Sequence, residues 1–87
     1  MAKTLALIHT TPVLIAGFTD LCKELLPGVS TFHIVDESLI KNTIQAGRLE
    51  KRTIRRLVNH VESAGEAGAD AVLVTCSSIG CECGGIA

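Results

Sequence analysis

A cysteine followed by two serines closes an apolar run late in this 87-residue chain, in the stretch Ala69-Asp70-Ala71-Val72-Leu73-Val74-Thr75-Cys76-Ser77-Ser78. If the run is a buried strand, Cys76 stands at its carboxyl end, the edge where open α/β sheets bind ligands. Should Ser77 or Ser78 then cap a helix, free backbone N–H groups and the positive end of the helix dipole would lower the pKa of the thiol and hold a carboxylate beside it. A thiolate next to an anion site suits proton transfer at a carbon alpha to a carboxylate. A small buried hydrophobe is the other reading of a lone thiol, and the residues alone leave both standing.

A second set of polar residues follows the run Thr4-Leu5-Ala6-Leu7-Ile8, which leads into His9-Thr10-Thr11-Pro12. Of the three histidines, His9 is the one expected at a strand's carboxyl end, where it could touch substrate or orient the thiol. His33, inside Thr31-Phe32-His33-Ile34-Val35, reads as a satisfied strand histidine, and His60 as a helix residue at the solvent boundary. Asp36 and Glu37 could approach the same edge, but a polar turn explains them as well. Cys22, beside Leu21 and near Leu25, reads as a structural thiol of the first helix. Cys76, Cys81 and Cys83 form C-x4-C-x-C, a set of soft ligands without a common zinc spacing or a sequence-local fourth ligand, so no metal is expected.

The elements that must position these residues follow from periodicity and punctuation. Residues 4–8 read as a strand buried on both faces. Thr11 is expected to cap the next helix, with Pro12 at its first position and Val13, Leu14, Phe18, Leu21 and Leu25 on its apolar face until Pro27-Gly28 stops it. Residues 30–35 read as a second strand, Asp36-Glu37-Ser38 as a polar break, and the segment after it as a short helix. A long amphipathic helix is expected from Arg48, through Leu49, Ile54, Leu57, Val58, Val61 and Ala64, to the glycines at 65 and 68. Residues 69–75 form the third strand. The order β-α-β-α-α-β makes a three-layer α/β fold on a short parallel sheet.

Composition sets the outer bounds. A chain this short buries only roughly 60–65% of the surface its unfolded form exposes. At 47% hydrophobic with no Trp or Tyr and two Phe, it must build its core from Leu, Ile, Val and Ala. A net charge of −1 gives no electrostatic reason to expect nucleic acid or a membrane surface as partner. Arg48, Lys51, Arg52, Arg55 and Arg56 mix with Glu50 on an amphipathic pattern and read as a solvated helix face. The apolar runs fall far below the roughly 18 residues of a membrane span, and the N-terminus lacks the features of a secretory signal, so a cytoplasmic chain with reduced thiols is expected.

The segments Leu5-Ala6-Leu7-Ile8-His9-Thr10-Thr11-Pro12 and Gly68-Ala69-Asp70-Ala71-Val72-Leu73-Val74-Thr75-Cys76-Ser77-Ser78-Ile79-Gly80, with the β-α-β order between them, resemble the aspartate/glutamate racemase superfamily. That group includes hydantoin racemases, maleate isomerases and arylmalonate decarboxylases. The resemblance implies a cofactor-independent enzyme, without pyridoxal phosphate, whose two α/β domains each give one cysteine to a shared site. One thiolate removes the Cα proton and the other thiol returns one from the opposite face. By position, Cys76 would be the first-domain acid/base, Ser77 and Ser78 would bind the substrate carboxylate, and His9, Thr10 and Thr11 would border the substrate. Some members carry an acid in that first loop; this chain has none there.

Residues 1–80 are thus expected to form the N-terminal half of a two-domain racemase-like fold. The tail 81–87, Cys81-Glu82-Cys83-Gly84-Gly85-Ile86-Ala87, departs from the Pro/Ala-containing helix start expected after Ser-Ser-Ile-Gly and reads as a truncation or shifted frame. Without a second cysteine-bearing half, two-base chemistry cannot assemble within these residues, so activity of the fragment alone is expected to be slight. The substrate would be a small carboxylate such as an amino acid, and a homo-oligomer is the expected assembly. Decarboxylation is disfavoured, because the decarboxylases of the group lack the cysteine that Cys76 supplies; cis-trans isomerisation of an unsaturated diacid stays open. The rival classes are a non-catalytic association module and a thiol-rich metal-binding or redox module.

Overall fold

The structure is a computed structural model, described here for residues 3–75. Strand β1 (Thr4–His9) leads through a 3-10 turn (Pro12–Leu14) into helix α1 (Ile15–Leu25). Strand β2 (Ser30–Val35), helices α2 (Glu37–Ala46) and α3 (Lys51–Glu66), and strand β3 (Ala71–Val74) follow. The three strands are all parallel in the order β2-β1-β3, so the expected α/β fold and its β-α-β-α-α-β sequence are observed. No helix among the described residues is long and apolar enough to cross a membrane.

Alternation along the central strand divides the two faces of the sheet. Ile8 points to the side where Leu39 of α2 and Leu57 of α3 are also fully buried, with Ile34, Leu49, Val61, Val72 and Val74 packed around them. The α3 residues Thr53, Leu57 and Ala64 lie on one side of that helix at spacings of four and seven, and all are buried. Leu5, Leu7 and His9 point the other way. Leu5, Phe18, Leu21, Cys22 and Leu73 line a shallow apolar hollow between α1 and the sheet. Helices therefore cover both faces, which is why β1 is apolar at consecutive positions instead of alternating with polar ones.

The largest differences from sequence expectation occur at element ends. Thr11 does stand at an N-cap position, but the element it opens is the 3-10 turn, and its side chain makes no capping hydrogen bond. Pro12 starts that turn, and α1 begins three residues later. The segment expected to be a polar break is itself the start of α2, because Asp36 is its N-cap and accepts a hydrogen bond from the Ser38 backbone N–H at 2.9 Å. Helix α2 ends where Gly47 takes a left-handed conformation, φ 72°, which delays the start of α3 to Lys51. Strand β3 is shortened at its start because the Ala69 N–H still closes the helix onto Ala64 O, at 3.0 Å.

Candidate functional site

In a β2-β1-β3 sheet the chain leaves β1 toward one edge and later returns to its other side. The carboxyl ends of β1 and β3 therefore flank a topological switch point, the usual crevice for ligands in this architecture. Ile8 pairs with Val74, and the Thr75 backbone N–H donates to Ile8 O at 3.0 Å, so His9 and Thr75 are neighbours at that point.

His9 is completely buried, yet both ring nitrogens are satisfied. Its Nδ1 lies 2.8 Å from Thr75 Oγ1, and its Nε2 lies 2.7 Å from Nδ1 of His33. The His33 Nε2 is 3.0 Å from Thr19 Oγ1, whose hydroxyl donates to Ile15 O at 2.8 Å. The two imidazoles lie nearly parallel, at 20° with centroids 5.0 Å apart, and Phe18 packs against His9 at 5.7 Å. Strand parity brings the histidines together: His33 pairs with Leu7, which shares a face of β1 with His9. Burial, followed by the neighbouring charge His33 can carry, lowers the pKa of His9 below 6.5. Near neutral pH His9 is therefore an uncharged donor and acceptor.

With Thr19 donating to its own helix carbonyl and Thr75 turned from Ile8 O to the ring, one arrangement of the neutral chain runs in a single direction. His33 Nε2–H donates to Thr19, His9 Nε2–H donates to His33 Nδ1, and the Thr75 hydroxyl donates to the bare Nδ1 of His9.

A second cluster stands after β2. The Asp36 backbone N–H donates to His9 O at 3.0 Å, joining the two clusters through the main chain. Arg56 Nη2 reaches Asp36 Oδ2 at 3.2 Å and also donates to Ser38 Oγ, while its Nη1 donates to Asn42 Oδ1 at 2.8 Å. The Ser38 hydroxyl donates to Asp36 Oδ1, and His60 Nε2 lies 2.9 Å from Asp36 Oδ2. Burial raises the Asp36 pKa, but hydrogen bonds from Ser38 and His60, with the charge of Arg56, more than offset it and hold the carboxyl at about 2. Asp36 is thus a fixed anion joining the start of α2 to α3, with no proton to exchange near neutral pH.

Of the residues expected at the site, His9 and Thr10 are buried at the end of β1, while Thr11 is half-buried beyond them. Cys76, Ser77 and Ser78 lie outside the described residues, as do Cys81 and Cys83. Cys22 is buried in α1. Arg56 differs from its expected place on a solvated face, since Asp36 and Asn42 draw it inward. His33 and Thr75 were not legible as partners of His9, nor Thr19 as the partner of His33, because nothing local reveals which residues of the other strands and of α1 lie beside each ring. For Asp36 the signal was present: an Asp two residues before a Ser, ahead of an apolar-periodic segment, is a capping pattern. No protein-family model matches this chain, and neither a curated protein nor a solved structure matches it at a significant level.

Proposed function

We propose that this chain is one α/β half of a cofactor-independent racemase or isomerase similar to the aspartate/glutamate racemase superfamily, with Cys76 as the base at a carbon alpha to a carboxylate. The observation that carries the reading is the meeting of His9 with Thr75 at the switch point, 2.8 Å apart, with Cys76 the next residue in the chain. The resemblance gives Thr10, Thr11, Ser77 and Ser78 the task of holding the substrate carboxylate by hydroxyl and main-chain N–H donors. The neutral His9 ends β1 just before the loop in which some members of that superfamily carry an acid. The substrate is a small carboxylate such as an amino acid, and the working assembly contains more than one copy of the chain. No organic cofactor or metal enters this chemistry.

A single thiolate can remove and replace a proton on one face, whereas inversion also needs a donor on the other. The 87-residue chain should therefore place deuterium from D2O at Cα of aspartate or glutamate with little racemisation, and Cys76→Ser should abolish the exchange. In parallel, iodoacetamide near neutral pH should modify Cys76 faster than Cys22, and the exchanging amino acid should slow it. Absence of exchange, together with faster labelling of Cys22, overturns the proposal.

A further inference from the structure

We propose that His9 and His33 form a reversible proton wire, with a threonine hydroxyl as a two-position switch at each end, linking the crevice between β1 and β3 to solvent near α1. The inference concerns the route of the proton at the proposed site and rests on that reading for the proton's origin. Its geometry stands on the described residues alone.

Each end hydroxyl lies between a ring nitrogen and a main-chain carbonyl. Thr75 Oγ1 is 2.8 Å from His9 Nδ1 and 3.2 Å from Ile8 O. Thr19 Oγ1 is 3.0 Å from His33 Nε2 and 2.8 Å from Ile15 O. Each can donate to the ring when the ring nitrogen is bare, or to the carbonyl while accepting from the ring when it is protonated. The set of hydrogen bonds thus has two complete arrangements of opposite polarity, and neither leaves a buried polar atom without a partner.

Transport follows by shifting one proton at each link. A proton arriving at Thr75 Oγ1 displaces the original hydroxyl proton to His9 Nδ1, and the hydroxyl turns to Ile8 O. His9 gives its Nε2 proton to His33 Nδ1, making His33 the cation. His33 is partly exposed whereas His9 is fully buried, so the charge comes to rest on the ring that water can reach. His33 then passes its Nε2 proton to Thr19 Oγ1 while that hydroxyl, on a partly exposed residue, gives its own proton to water, and the hydroxyl ends donating to Nε2 in place of Ile15 O. One proton has entered and one has left, and both rings are now set to carry a proton inward by the same steps in reverse. A Cα proton taken out would be replaced by one from solvent, which is the exchange without inversion expected of a one-sided site.

The groups facing the wire are compatible with this cycle. His33 comes from β2, Phe18 and Thr19 from α1, and Thr75 from the end of β3. Among the described residues no carboxylate hydrogen-bonds either ring, so no fixed anion holds the proton on one nitrogen. In contrast, His60 beside Asp36 has such a partner.

Ring-nitrogen NMR on the full chain, labelled at histidine and titrated from above neutral pH downward, tests the wire directly. Exchange-averaged signals at both nitrogens of His9 and at both nitrogens of His33 are expected. A single fixed tautomer at either ring overturns the wire whether or not the protein is active. Cα deuterium exchange then supplies the second arm. Thr75→Val, and His33→Gln, which keeps a hydrogen-bonding partner but cannot pass a proton, should each slow exchange by about 100-fold, the lower range for a positioned proton-transfer group. Undiminished exchange in both variants overturns the wire and leaves the proposed function standing. Tautomer exchange at both rings in a wild-type chain that exchanges no Cα proton supports the wire and removes the proposed function.

Discussion

Two titratable residues, the half-buried Asp36 and the buried His9, make this chain sensitive to acid in separate windows. The folded-state pKa of Asp36 is depressed from 3.8 to about 2, so its contribution to stability is complete well above 3.8 and is lost as pH falls toward 2. At about 1.4 kcal/mol per pH unit the shift corresponds to roughly 2 kcal/mol, reduced by solvent because Arg56 is 38% exposed. His9 also has a lowered pKa, but for a histidine this means that the unfolded chain takes up a proton near 6.5 while the buried ring does not. Stability should therefore decline first as pH drops below about 6.5 and then more steeply below about 4. Asp36→Asn separates the windows, since Asn caps a helix about as well as Asp. Urea unfolding should show a loss of about 1–2 kcal/mol near neutral pH, a flattened limb below pH 4, and an unchanged limb near pH 6. A variant with the wild-type profile below pH 4 would show that Asp36 is not held ionised by its partners.

At the scale of the elements, two glycines with equally open surroundings should respond in opposite directions. Gly47 ends α2 at φ 72°, and a Cβ there would meet nothing within 4 Å, so the only cost of Gly47→Ala is the left-handed backbone, about 1 kcal/mol. Gly65 lies in α3 with the same open space and no positive φ, and Gly65→Ala should stabilise by roughly 0.5–1 kcal/mol through helix propensity. Thermal unfolding of the two variants should bracket the wild type; a shift in the same direction for both would contradict the backbone argument. The elements were legible to different degrees for physical reasons. Strand β2 has the expected limits at residues 30–35, and β1 extends the expected strand only by His9, because short apolar runs between turn residues carry their own boundaries. The start of α3 shifted by three residues, since its amphipathic pattern continues through Arg48-Leu49-Glu50 although Gly47 has just reversed the backbone. The His9–His33 contact depends on strand register, which the sequence of neither strand contains, whereas placement of His9 at the crevice followed from strand order alone.

At the scale of the whole molecule, the two faces of the sheet are unequally covered. On the α2/α3 side, Ile8, Leu39 and Leu57 are wholly buried. On the α1 side, Leu21, Leu25, Leu26 and Leu73 are each at least 36% exposed, and Leu73 belongs to β3, whose outer edge pairs with no other described strand. Apolar side chains beside an unpaired strand edge favour association, because burying them removes hydrocarbon from water while a partner strand satisfies the free N–H and C=O groups. The chain should therefore scatter light as a species heavier than its 9.1 kDa monomer at micromolar concentration. Leu25→Glu and Leu73→Lys place charges on that side without touching the Ile8–Leu39–Leu57 core or the histidine pair, so each should shift the population toward monomer while far-ultraviolet circular dichroism stays unchanged. The α3 surface is the matching control: Glu62→Lys changes an exposed charge on the covered side and should leave the mass as it was. A monomeric wild-type chain, or equal dissociation by all three substitutions, would assign the exposed leucines no part in assembly.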